Sequence, residues 1–193
     1  MTLRTTACML ALMATTAAFA ALNPGDLAPA FSATASLAGK PFTYSLKGSL
    51  AKGPVVVYFY PSAYTEGCNI QAHEFSSKAE QFAAAGASVI GVSLDSIGRL
   101  NEFSADPDYC AGKLAVASDN DGRIARAFGL RVSGVQLGAT DTRGKEIDHG
   151  FTERTTFVVK RDGTVLATVG GVSPEENVAQ ALKLVRQLSA APK

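Results

Sequence analysis

Apolar residues fall in two spacings along this chain, and the change from one to the other marks out its elements. Val55 to Tyr60 is continuously apolar, the signature of a strand buried on both faces, and Ser88 to Leu94 repeats it. Between them, Ile70, Phe75, Ala79 and Phe82 recur at helical spacing, which predicts a helix over Glu66–Ala85 stopped by Gly86. Ahead of these, Phe31–Leu46 holds two short β-like segments about Ala38-Gly39-Lys40, an expected hairpin. Beyond them the pattern predicts a weaker helix over Leu100–Cys110 broken near Pro107, a strand over Lys113–Ala117, and a helix over Gly122–Phe128 ended by Gly129. Thr155–Val159 and Thr164–Val169 alternate about Asp162-Gly163, a strong hairpin signal. Ser173 as cap and Pro174 in the first turn open a last amphipathic helix through Val178, Leu182, Val185 and Leu188. Phe59, Phe75, Phe82, Phe128 and Phe157 are the core candidates.

This order of strands and helices implies an α/β fold, a mixed sheet with helices on both faces. In such sheets sites form in the loops at the carboxyl ends of strands. The segment after Val55–Tyr60 is such a loop, and it reads Pro61-x-x-x-Thr65-x-x-Cys68. A rigid corner thus brings a hydroxyl and a thiol to the start of a helix.

Composition changes the picture in two ways. With 193 residues, 47% hydrophobic and 18% charged and without an acidic or basic block, the chain reads as one globular domain with ample core material and no footprint for nucleic acid. Met1–Ala20 carries Arg4, an apolar run and Ala18-Phe19-Ala20, which predicts a cleavable secretory leader too short to span a membrane, followed by a domain over residues 21–193. Cleavage would discard Cys8 and leave 17 basic against 17 acidic residues, so no steering toward a charged partner is expected. The mature protein is then expected to be exported, periplasmic in a Gram-negative bacterium, and free of the membrane.

Export leaves Cys68 and Cys110 in a compartment that permits disulfides. They could be a permanent staple, which over their 42-residue separation would contribute about 4 kcal/mol. They could equally be a redox pair, which the Thr-Glu-Gly turn ahead of Cys68 favours.

The segment FYPSAYTEGC resembles the active-site motif of the peroxiredoxins. SDNDGRIARAFGL and ERTTFVVKRDGTV are similar to later segments of their bacterioferritin-comigratory, or Q-type, branch within the AhpC/TSA family. The resemblance runs from about Leu22 to Leu188. It implies a thioredoxin-like fold and reduction of hydrogen peroxide or organic hydroperoxides without a cofactor. It makes Cys68 the peroxidatic cysteine, gives Thr65 and Arg154 hydrogen bonds to the thiolate and the peroxide, and has Pro61 shield the site. Many Q-type members carry a second cysteine five residues after the first, where this chain has His73. Tyr109-Cys110-Ala111-Gly112-Lys113 instead resembles the subgroup whose resolving cysteine lies just before the next strand. The resemblance therefore implies an intramolecular Cys68–Cys110 disulfide, a thioredoxin-like or glutaredoxin-like reductant, and a monomer. Because bonded cysteines need Cα atoms within about 7 Å, the first turn after Cys68 is expected to unwind during turnover.

Chemistry sets what the site must supply. An unperturbed thiol is only about 3% ionised at pH 7, so complete ionisation raises the reactive fraction about thirty-fold and no more. A helix N-terminus is worth about 0.3–1 kcal/mol and a charged hydrogen bond about 1.5–3 kcal/mol. Further rate must come from aligning the peroxide and stabilising the departing oxygen. Thr65, Arg154 and the N–H groups of Gly67 and Cys68 are the expected donors.

Other residues carry plainer expectations. His73 is read as a helix histidine outside the site, and Gln71 as a hydrogen-bonding residue that orients the helix. Arg123, Arg126 and Arg131 are read as solvated. Tyr60 and Tyr64 could wall the peroxide pocket or simply pack, and His149 has no partner visible in the sequence. An exported thiol oxidoreductase, a redox sensor and a copper chaperone are the alternatives, the last using Cys68, His73, Cys110 and His149. The chain has no Cys-x-x-Cys to support the oxidoreductase and no tight Cys-x-x-x-Cys pair or Met-rich loop to support the chaperone, whereas a redox sensor would have the same cysteines.

Overall fold

Every residue of Val55–Phe59 is buried, and this strand (β3) forms the spine of a seven-stranded sheet. The computed structural model describes residues 20–190, so Cys8 and the expected leader lie outside the described residues, save Ala20 at its end. The hairpin of β1 (Ser32–Leu37) and β2 (Lys40–Ser45) forms one edge. Strands β4 (Ser88–Ser93) and β5 (Ala115–Ser118) run parallel to β3, and β6 (Thr155–Val159) and β7 (Val165–Gly170) close the other edge antiparallel. The order is β2-β1-β5-β4-β3-β6-β7, the mixed sheet of a thioredoxin-like fold with an N-terminal hairpin.

Alternation along β3 sends Val56, Tyr58 and Tyr60 to one face and Val55, Val57 and Phe59 to the other. On the first face lie α2 (Glu66–Ser77), α3 (Ala79–Ala84), α4 (Ile97–Ala105) and α6 (Pro174–Ala190). The second face is covered by α5 (Arg123–Ala127) and by α1 (Leu46–Leu50), a short helix that the apolar pattern did not predict. All five core phenylalanines are buried. Tyr58 needs a gap in the neighbouring strand: its register partner is Gly91, where a Cβ would stand 2.5 Å from the Tyr58 hydroxyl.

Two expected helices change shape. Glu66–Ala85 is two helices, because the hydroxyls of Ser76 and Ser77 bond back to the carbonyls of His73 and Glu74 and the chain kinks at Lys78. The helix expected over Leu100–Cys110 starts earlier, at Ile97, where Ser96 caps the N–H of Arg99. It ends at Ala105, since Asp106 precedes Pro107 and is extended. Cys110 therefore sits in a turn. Ser173 does cap α6, accepting from Glu176 N–H at 3.2 Å. Among the described residues, no helix is long and apolar enough to cross a membrane.

Candidate active site

The parallel strands β3, β4 and β5 end at the same edge of the sheet, and antiparallel β6 begins there. Loops from both halves of the chain consequently meet at that edge. Between β3 and α2 the chain turns through Pro61, half-buried, and then Ser62, Ala63 and Tyr64, all buried. Tyr64 adopts a left-handed backbone (φ 64°), which a residue with a Cβ adopts only under compensation. The compensation is visible: the Tyr64 carbonyl accepts from the Thr142 N–H at 2.9 Å and from its hydroxyl at 2.8 Å. In addition, the Arg143 guanidinium carbon lies 3.2 Å from the Tyr64 ring centroid. Thr65 occupies the N-cap position of α2.

Cys68 follows in the first turn of α2, 1% exposed. Arg154, the residue before β6, donates from Nη2 to the Cys68 sulfur at 3.4 Å and from Nη1 to Gln71 Oε1 at 2.5 Å. Gln71 is itself fixed, because its amide donates to Asn177 Oδ1 at 2.9 Å. The same oxygen accepts from the Thr156 hydroxyl at 2.6 Å, while Asn177 donates to the Val169 carbonyl at 3.1 Å. A fully hydrogen-bonded buried chain thus runs from α6 and β6 through α2 to the guanidinium. Gly67 leaves it room: a Cβ there would stand 3.0 Å from Arg154 Nη2.

The Thr65 hydroxyl donates to the Ser62 carbonyl at 2.9 Å, not to sulfur. With its one proton committed there, it can offer the site only its lone pairs. The N–H of Cys68, expected as a donor to substrate, instead closes a turn onto the Thr65 carbonyl at 2.9 Å. Gly67 N–H, also expected as a donor, has no backbone acceptor among the described residues and remains available.

Cys110 is a free thiol, as is Cys68, and both belong to one apolar cluster with Tyr58, Tyr60 and Phe103. Burial pushes the Cys110 thiol well above its ordinary range, with the charge of Asp106 adding to the effect. Its turn is clamped to α2, since the Ser76 hydroxyl shares its one proton between the carbonyls of His73 and Tyr109, the latter at 2.6 Å, and His73 Nδ1 donates to the Asp108 carbonyl at 3.0 Å. His73 is exposed, as a helix histidine outside the site should be. Tyr60 and Tyr64 are both packing residues: Tyr60 stacks on Tyr58, and Tyr64 meets Phe103 and Tyr109 edge-on. Arg123 and Arg131 are solvated, each paired to a surface carboxylate.

His149 has a partner after all. Asp95, fully buried just beyond β4, accepts from His149 Nε2 at 2.9 Å, the Ser62 hydroxyl at 2.9 Å, the Ala63 N–H at 2.8 Å and the Ser93 hydroxyl at 2.7 Å. Arg99 Nε lies 2.9 Å from the same carboxylate, an ion-pair contact whose N–H is not aimed at the oxygen, and Arg99 Nη2 donates to Asp141 at 2.8 Å. Asp95, Arg99, Asp141, Thr156 and Asn177 all escaped the sequence reading. An acid two residues past a buried strand was the available signal for Asp95. Among the described residues, no three His, Cys, Asp or Glu side chains come together to hold a metal, and Cys68, His73 and His149 bond to three different partners.

A family model described as AhpC/TSA matches residues 24–168 of the chain. A protein of Mycobacterium tuberculosis assigned to the peroxiredoxins is 33% identical over 168 residues, covering 87% of this chain and 96% of its own. The chloroplastic peroxiredoxin Q of Sedum lineare is 30% identical over 172 residues, covering 88% and 81%. The crystal structure of peroxidoxin BcpB from Mycobacterium tuberculosis superimposes with a TM-score of 0.72 at 28% identity, covering 86% of this chain and 98% of the other.

Proposed function

As a member of the AhpC/TSA family, on its Bcp/Q branch, the chain is a thiol-dependent peroxidase, and we propose that Cys68 is the sulfur that reacts. The observation that carries this reading is the 3.4 Å contact between the Arg154 guanidinium and Cys68 at a helix N-terminus. A guanidinium favours the thiolate, which is the nucleophile, and its planar fork can follow charge as it moves from sulfur to the departing oxygen. Thr65, restricted to accepting, would receive the O–H of the peroxide. Gly67 N–H and Arg154 would donate to its oxygens, with Pro61 limiting the entry of water.

The thiolate attacks one peroxide oxygen, the O–O bond breaks, and the sulfur loses two electrons to become a sulfenic acid. The other oxygen leaves as hydroxide or alkoxide and takes a proton from solvent. The Cys110 thiol then displaces water from that sulfenic acid to give the Cys68–Cys110 disulfide, which an external dithiol of thioredoxin or glutaredoxin type reduces. Because a disulfide needs Cα atoms within about 7 Å and Cys110 is buried with its thiol pKa raised, we take its turn and the first turn of α2 to open as the bond forms. We take the enzyme to act as an exported monomer, on the leader expected over residues 1–20. Steady-state consumption of hydrogen peroxide and of an alkyl hydroperoxide, with a thioredoxin-type donor and with Cys68→Ser as control, tests the proposal. Turnover that survives in Cys68→Ser would refute it.

A further inference from the structure

Two loops must hold their places for the site to exist, and both are fastened to one buried carboxylate. Asp95 accepts from Ser62 and Ala63, which precede Thr65, and from His149, which lies five residues before Arg154. Past His149 the chain has two further supports, where Phe151 and Thr152 pair with Ser133 and Val132 and where Glu153 accepts from the exposed Arg131 at 2.7 Å. It then delivers Arg154 to the sulfur.

The protonation of His149 follows from its partners. Nε2 faces the Asp95 carboxylate at 2.9 Å and Nδ1 faces the Gly150 carbonyl at 2.7 Å. Both are acceptors, so the ring makes both bonds at once only as an imidazolium, with a proton on each nitrogen. The charged groups around it agree with this: Asp95 beside β4 and Asp148 in its own loop are acidic, and the cationic Arg99 of α4 is shared with Asp141. Burial alone would lower the pKa of this histidine, but the bond and charge of Asp95, the Gly150 carbonyl and Asp148 raise it above its ordinary value.

We infer that His149 is a positioning residue for the peroxidase site: as a cation bound to Asp95 it locks the Arg154 loop against the Thr65 loop, and losing its proton loosens both. The inference rests on the peroxidase reading above. Loss of the Nδ1 or Nε2 proton leaves an unpaired acceptor facing an acceptor, which drives the ring from one partner. Misplacing a catalytic group by about 1 Å can cost up to about 100-fold in rate.

The test compares kcat/KM for peroxide across pH in the wild type and His149→Gln, taken as a ratio so that ionisation common to both proteins cancels. The ratio is expected to stand well above one, up to about 100, at low pH and to fall toward one as pH rises through the histidine titration. A ratio that stays constant with pH would mean a merely structural role and overturn the inference. Should the variant not fold, the wild type suffices: nitrogen NMR should show both His149 ring nitrogens protonated below pH 6.5, with a midpoint above that value, and the Arg154 side-chain signal should move with the same midpoint. A neutral ring, or an Arg154 signal indifferent to that midpoint, overturns it as well. A wild type that consumes no peroxide sinks the peroxidase reading instead, and the NMR midpoint still decides whether His149 and Arg154 are linked.

Discussion

The guanidinium of Arg154 lies 3.4 Å from the sulfur of Cys68 although 86 residues separate them in the chain. Strand β6 makes this possible by starting at the edge where parallel β3 ends, so the residue before one strand meets the first helical turn after the other. A charged hydrogen bond of this kind is worth about 1.5–3 kcal/mol. Arg154→Met should therefore lower kcat/KM for peroxide roughly ten- to a hundredfold, as stopped-flow mixing would measure. Arg154→Lys keeps the charge but not the two-pronged contact to Cys68 and Gln71, and should recover only part of the loss.

Gly67 separates helix stability from site geometry. Its backbone is not left-handed, so alanine should suit the helix and favour it by about 0.5–1 kcal/mol, yet the new methyl would crowd Arg154 Nη2. Gly67→Ala is expected to unfold at equal or higher urea concentration while reducing peroxide more slowly. A variant as active as the wild type would show that the guanidinium can shift without consequence.

Asn177 supports the site from behind. Asn177→Ala would strand the Gln71 amide and the Thr156 hydroxyl, both buried, at a cost of about 1–3 kcal/mol for each group left unsatisfied. Urea denaturation should register the loss. Activity should also fall, because Gln71 would no longer be fixed beneath Arg154.

The Asp95–His149 pair makes stability depend on pH in two opposite senses. Although burial opposes it, the bonds from His149, Ser93 and Ala63 hold the Asp95 carboxyl below its ordinary value of 3.8. Its contribution is present above that value and lost as pH falls through the lower folded value. His149 titrates above its ordinary 6.5, so its contribution is complete below 6.5 and lost as pH rises through the folded value. Urea midpoints measured against pH should form a plateau that declines at both ends. His149→Gln should remove the alkaline decline and also weaken the acid one, because the bond and charge of His149 are the largest of the influences that lower Asp95.

Much of this fold could be read from spacing. The unbroken apolar run of Val55–Tyr60 identified the central strand, Asp162-Gly163 the hairpin of β6 and β7, and Ser173-Pro174 the start of α6. Cys68, Thr65 and Pro61 were legible because they lie within eight residues of one another. Arg154 was named through family resemblance, and the structure brings it to the sulfur. What spacing could not reveal was the support behind them. Asp95, His149 and Ser62, or Gln71, Asn177 and Thr156, become neighbours only when separate strands end at one edge, and no local period records that. Nor did the apolar pattern register the hydroxyls of Ser76 and Ser77 that divide the long helix.

The most direct test of the central claim is peptide mass mapping of the reduced protein after one equivalent of peroxide, in the wild type and in Cys110→Ser. Oxidation is expected at Cys68 in both: a Cys68–Cys110 disulfide in the wild type, and a Cys68 sulfenic acid, trapped by a sulfenic-acid reagent, in the variant. Peroxide consumed while Cys68 remains a thiol would contradict the account.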